Sequence, residues 1–162
     1  MSEEIIYKPI GIIHSPFKTA KGTPIQPVAA RDVEAVVEIY LKYSNGLLDL
    51  EDFSHIIILF HCHLIKEFSL KVKPYMDNHD HGVFATRAPA RPNTIGLSIV
   101  NLIKIEQERL FIKGVDMIDK TPVLDIKPYV PEFDMREVFK IGWLENKINK
   151  LSGTRDDNRF IK

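Results

Sequence analysis

Residues 95–115 read Ile95-Gly96-Leu97-Ser98-Ile99-Val100-Asn101-Leu102-Ile103-Lys104-Ile105-Glu106-Gln107-Glu108-Arg109-Leu110-Phe111-Ile112-Lys113-Gly114-Val115, two apolar runs rich in β-branched residues around a polar tip. Four polar side chains from Glu106 to Arg109 are costly anywhere but at the surface, so they mark the tip of a hairpin. Runs of the same kind recur at Ile5–Ile13, Val33–Leu41, His55–His63 and Val123–Ile126. Each is strand-length and bounded by Gly, Pro, Asn or Asp, the pattern of consecutive antiparallel strands. The Val33 run is mixed rather than strictly alternating, and Ser44-Asn45-Gly46 after it is a turn signal. The expected fold is mainly β, an antiparallel sheet or small antiparallel β-barrel with a C-terminal helix.

Past Asp134 the period changes. Asp134 with Glu137 resembles a capping box, and Val138, Ile141, Leu144, Ile148 and Leu151 then fall on one helical face. This predicts a helix from about Met135 to about Lys150, packed on the sheet, with Trp143 as a packing or interface residue rather than a ligand stacker. The last residues, 152–162, are polar and read as disordered on composition. The expected division is a barrel over residues 1–131 and a helix with a polar tail over 132–162. Two loops interrupt the strands. Lys18–Pro27 carries Gly22, Pro24 and Pro27, and Lys71–Pro92 carries Pro74, Gly82, Pro89 and Pro92. Each proline removes a donor and restricts the residue before it, so neither loop is regular throughout.

At 162 residues the chain fits one domain, and 22 basic against 22 acidic residues leave no net charge. A nucleic-acid partner must therefore be held by a local basic patch rather than by the field of the whole molecule. Cys62 is the single cysteine, which excludes an internal disulfide and a cysteine-based zinc cluster and fits a reducing compartment. The start, Met1-Ser2-Glu3-Glu4, is acidic and unlike a signal peptide, and no segment approaches the roughly 20 apolar residues of a membrane span. A cytoplasmic protein without a membrane partner is expected. No Gly-rich fingerprint follows a strand, so a Rossmann-type cofactor site is unsupported.

Four groups of residues carry possible chemistry. The pairs His61-Cys62-His63 and His79-Asp80-His81 each place two imidazoles on one side of an extended chain and suggest a cupin-like metal site; without a clear third ligand the metal assignment is none. Between Gly82 and Ser98, Arg87 and Arg91 are flanked by prolines that restrict the backbone, which suits guanidinium recognition of carboxylate or phosphate. Lys66, Lys71 and Lys73 lie just upstream as a phosphate-facing patch or a solvated face. Asp125, Lys127 and Tyr129 alternate on one strand face, either as a structural ion pair or as a catalytic group.

Gly82–Ser98 together with Thr121-Pro122-Val123-Leu124-Asp125-Ile126-Lys127-Pro128-Tyr129 resembles the two signature stretches of the TsaA-like family, also called TrmO. Shorter matches are Ile10–Lys18, Pro24-Ile25-Gln26 and Phe53-Ser54-His55, in the family's order, so the likeness runs from about Ile10 to about Tyr129. The resemblance implies a small barrel that binds S-adenosylmethionine, works as a homodimer and methylates the exocyclic nitrogen of threonylcarbamoyladenosine beside a tRNA anticodon. By position it implies cofactor contacts from Pro24, Ile25, Gln26, His63, Leu64, Arg87, Leu97, Asp116, Met117, Ile118 and Asp119. Two positions depart: Thr94 stands where the family has proline, expected to loosen the loop, and Lys120 replaces the glycine before Thr121, placing a charge beside the pocket.

The acceptor nitrogen belongs to a urea and must lose a proton as its new bond forms, so a general base is expected. Asp125 is the first candidate, with Tyr129 and His63 behind it. Arg91, Asn93 and Lys127 are the expected substrate contacts. Two competing readings are a His-rich metal-dependent barrel enzyme and a non-catalytic module that binds S-adenosylmethionine or RNA.

Overall fold

The computed structural model describes residues 4–161, so Met1, Ser2 and Glu3 at the acidic start lie outside the described residues. Among the described residues eight strands form: β1 Gly11–His14, β2 Glu34–Ile39, β3 His55–His61, β4 Lys71–Val72, β5 His81–Gly82, β6 Ile95–Glu106, β7 Arg109–Lys113 and β8 Pro122–Pro128. Six of them close into an antiparallel barrel in the order β1-β2-β7-β6-β3-β8, while β4 and β5 make a small separate pair. The hairpin expected over residues 95–115 is β6–β7, and Gln107 turns it at φ 55°.

The barrel is filled by alternate residues. Ala35, Val37 and Ile39 of β2 point inward with Ile56 and Ile58 of β3, Val100 and Leu102 of β6, and Leu110 and Ile112 of β7. Each fully buried aliphatic side chain contributes roughly 1.5–3 kcal/mol of transfer free energy, so this core dominates the stability. Gly11 is required where β1 crosses β2, because a Cβ there would meet the Glu38 carbonyl oxygen at 2.4 Å. In β8 the register shifts opposite Leu59 and Phe60. That irregularity lets both Val123 and Ile126 pack toward the core, although they are three residues apart.

Three expectations fail. Residues 5–10 are not a strand: Ile5, Ile6 and Tyr7 are exposed and β1 starts only at Gly11. The C-terminal helix does not form either. A single α-helical turn, α1 Pro131–Asp134, ends where Met135 turns extended, and the rest carries only 3-10 turns at Gly142–Leu144 and Ile148–Gly153. Asp134 does serve as a cap, but of this turn: its Oδ2 accepts the Val130 N–H at 2.8 Å. Gly142 sits at φ 61°, where an α-helix cannot continue, and an isolated helix of this length is marginal without a complementary surface. Finally, the polar tail is ordered over residues 152–161, Lys162 lying outside the described residues. Asp156 exchanges backbone hydrogen bonds with Gly22 (2.8 Å) and Thr23 (2.9 Å), and Phe160 packs on Val72, Val83 and Ala88.

Candidate functional site

The outer face of β6 is apolar as well as the inner one. Ile95, Leu97 and Ile99 point away from the core, and over them lie the loop between β1 and β2, the long loop between β3 and β6, and the turn after β7. They border an open cavity of about 910 Å³, at the upper end of what small-molecule sites occupy. Pro24, Ile25 and Gln26 reach it from the first loop, His63 and Leu64 from the exit of β3, and Arg87 and Arg91 from the long loop. Leu97 of β6 and Asp116, Met117 and Ile118 after β7 complete this side.

Charge is concentrated at a few points in mainly apolar walls. Asp116 accepts the Ser98 hydroxyl at 2.6 Å, and removal from water pushes its carboxyl up to about 6 despite that bond. Arg87 Nη1 donates to Gln26 Oε1 at 2.9 Å and so joins the two loops across the rim. Arg91 is turned the other way: its Nη1 donates to the carbonyls of Thr86 (2.8 Å), Val83 (3.1 Å) and Ala88 (3.3 Å), stapling the loop that carries Arg87. His63 is lowered from its ordinary pKa, chiefly by burial and then by the neighbouring His61, so its imidazole is neutral at physiological pH. Cys62 also lines the cavity, and burial first, then the Asp116 carboxylate, push its thiol up to about 12.

Other expected site residues lie outside this cavity. Asp119 accepts the Ser15 N–H at 3.0 Å and pairs with Lys18 at 2.8 Å, tying the first loop to the turn after β7; the Lys18 contact pulls its pKa down. Asp125 pairs with Lys127 at 2.8 Å, Tyr129 meets the His55 ring edge-on at 6.4 Å, and Asn93 is exposed. The His-x-His pairs part company as well. His79 Nδ1 and His81 Nε2 contact the Asp77 carboxylate at 3.1 and 2.9 Å, whereas His61 Nδ1 meets the Thr94 hydroxyl at 3.0 Å. Thr94 thus ties the loop to β3 where a loosened loop was expected. Lys120 sits at φ 63°, the left-handed region that a glycine there would enter without strain.

The remaining wall comes from the regions read as a packing helix and a disordered tail. Trp143, Leu144, Ile148, Leu151, Asp156 and Phe160 all line the cavity. The apolar stripe of the sequence was the signal for three of them, once detached from the assumption of a helix.

A closed antiparallel barrel with a roomy, mainly apolar cavity on its outer face, carrying a half-buried carboxylate within and a guanidinium at the rim, defines a barrel-type binder of a small organic ligand. The chain matches the tRNA-methyltransferase O N-terminal domain family over residues 12–135, and it belongs to that family. It is 58% identical over 157 residues to a Pyrococcus abyssi protein described as a probable S-adenosyl-L-methionine-binding protein, covering 97% of this chain and 85% of that one. It is 42% identical over 137 residues to the mouse tRNA (adenine(37)-N6)-methyltransferase, covering 80% of this chain but 32% of the mouse protein. The crystal structure of TrmO from P. aeruginosa superposes with a TM-score of 0.74 at 38% identity, covering 88% of this chain and 62% of that one.

Proposed function

We propose that the chain transfers a methyl group from S-adenosylmethionine to the exocyclic nitrogen of threonylcarbamoyladenosine beside the anticodon of tRNA, in the cytoplasm and as a homodimer. The observation that carries the reading is the cavity itself. Its volume suits an adenosine joined to an amino acid, its walls suit the purine and the aliphatic chain, and the Asp116 carboxyl offers an anion where the ligand brings cations. When bound, the cofactor supplies a methyl carbon on a sulfonium, open to in-line displacement.

The chain's residues then have mainly to hold two reactants in contact and alignment. Arg87, set by Gln26, is placed to take an anionic group at the rim, and Asp116 to neutralise positive charge within. Of the three candidate bases, His63 is the one that lines the cavity and is neutral at pH 7, so it is our choice to accept the urea proton; Asp125 is already engaged with Lys127. The homodimer is taken from the family likeness, and light scattering at working concentration checks it. Among the described residues no helix is long and apolar enough to cross a membrane.

The test is incorporation of labelled methyl into tRNA with and without the threonylcarbamoyl group. Transfer only to the modified tRNA is expected, and none to either overturns the reading. In a single-turnover assay, His63→Gln should lower the rate by roughly 100-fold or more while the cofactor still binds. An unchanged rate removes His63 as the base.

A further inference from the structure

The segment 141–161 lies beyond the family match over residues 12–135, yet it forms one side of the cavity. We propose that this segment is a strap that binds the cofactor, with Leu144, Ile148 and Leu151 as its contact wall and Trp143 as the residue that positions it. The proposal rests on the cofactor reading above.

A stripe of apolar residues that makes no helix needs another reason to be apolar. Leu144 and Leu151 are half-buried and Ile148 is 44% exposed, all three on the cavity rather than in a core. This is the state of an apolar wall whose covering is incomplete until a ligand lies against it.

The strap is fastened at both ends by contacts too specific for a loose tail. At one end the Trp143 ring stacks on His81, with centroids 4.7 Å apart and planes 23° from parallel, while its Nε1–H donates to the Ala85 carbonyl at 2.8 Å. Four residues on, Lys147 pairs with Asp77, the carboxylate that His79 and His81 also contact. At the other end the Asp156 backbone bonds to Gly22 and Thr23, and Phe160 meets Tyr75 edge-on at 5.2 Å. The anchors lie in the two loops that carry Gln26 and Arg87. Strap and loops therefore form one ring around the cavity, and a ligand inside it contacts all three.

Trp143 is the single tryptophan, so its emission reports the strap directly. Titration of the full-length protein with S-adenosylmethionine should change that emission saturably, with the midpoint found by calorimetry. Leu151→Glu places a charge in the wall, and Trp143→Ala releases the anchored end. Each should weaken cofactor binding about tenfold or more, with dissociation accelerated, while the circular-dichroism melt of the barrel stays cooperative. Bound cofactor should also slow tryptic cleavage after Lys147 and Lys150. Wild-type affinity in both variants, or calorimetric binding without any change in emission or cleavage, overturns the strap while leaving the cofactor reading intact. Absence of binding by the wild-type protein overturns both.

Discussion

The barrel interior and the cavity beside it are both lined by aliphatic side chains, but they are assembled in opposite ways. Inside the barrel, Ile13, Ile56, Ile58, Leu110, Ile112 and Val123 are fully buried on hydrogen-bonded strands. Around the cavity, the walls are loops and a strap whose apolar residues remain partly open and whose order comes from scattered polar contacts: Arg87 to Gln26, Arg91 to three carbonyls, Lys147 to Asp77. The difference separates labour. The sheet carries stability by burial, and the loops carry recognition, which requires surface left unburied until a ligand arrives.

The contrast breaks if truncations in the two regions are equally costly. Ile58→Ala should lower unfolding free energy by about 2–5 kcal/mol, whereas Leu151→Ala should cost well under half of that, because its site is already half open. Urea denaturation measures both, and similar values would make the strap part of the core. A milder challenge to the barrel is Gly11→Ala, expected to cost about 1–3 kcal/mol through the clash with the Glu38 carbonyl, with little effect on the cavity.

The cavity is sharpened by pH. Burial raises Asp116 from 3.8 to about 6, so between those values the native state holds a proton that the unfolded chain has released, and the free fold loses stability as pH rises through that window. Binding runs the other way. A cationic ligand favours the ionised carboxylate, so affinity for S-adenosylmethionine should fall about tenfold per pH unit below about 6, and Asp116→Asn should flatten the profile. Calorimetry across pH 5–8 checks both points, and a flat wild-type profile would remove Asp116 from the charge-bearing site.

The smallest effect lies at the junction of the two regions. Lys120→Gly should stabilise the protein by roughly 0.5–1 kcal/mol, the left-handed strain relieved less the greater freedom of an unfolded glycine. A thermal melt showing destabilisation would mean that the lysine side chain contributes more than its backbone costs.

The strands were legible because they obey one local rule, strand-length runs of apolar and β-branched residues bounded by Gly, Asn, Asp or Pro, whereas their closure into a barrel was implied by the family likeness. The failures were local rules applied where distant contacts decide. Leu144, Ile148 and Leu151 do share an apolar environment, but Gly142 interrupts any helix, and the surface they meet belongs to loops some 60 to 120 residues earlier. The tail looked disordered on its own composition because its partners, Gly22, Thr23, Val72 and Tyr75, are remote in the chain. For the site, the family likeness collected residues from four segments that no single spacing relates, among them Gln26 and Arg87. It did not separate residues facing the cavity, such as Asp116, from those such as Asp119 that tie its walls together.

The barrel closes through its shortest strand pairing. β1 meets β8 at Gly11 opposite Val123 and Ile12 opposite Pro122, and backbone bonds from Ile13 to Thr121 and from Lys120 to Ile13 extend the contact between segments more than a hundred residues apart. Non-local pairing of this kind puts all-β chains in the millisecond-to-second range of folding times. The turn that bears Asp116 lies just before β8, and its register on Ile13, through the Lys120 N–H at 2.7 Å, exists only once the seam is made. The wall that bears Asp116 and the closure of the barrel therefore share the same contacts, and a ligand bound in the pocket holds the barrel shut by mass action.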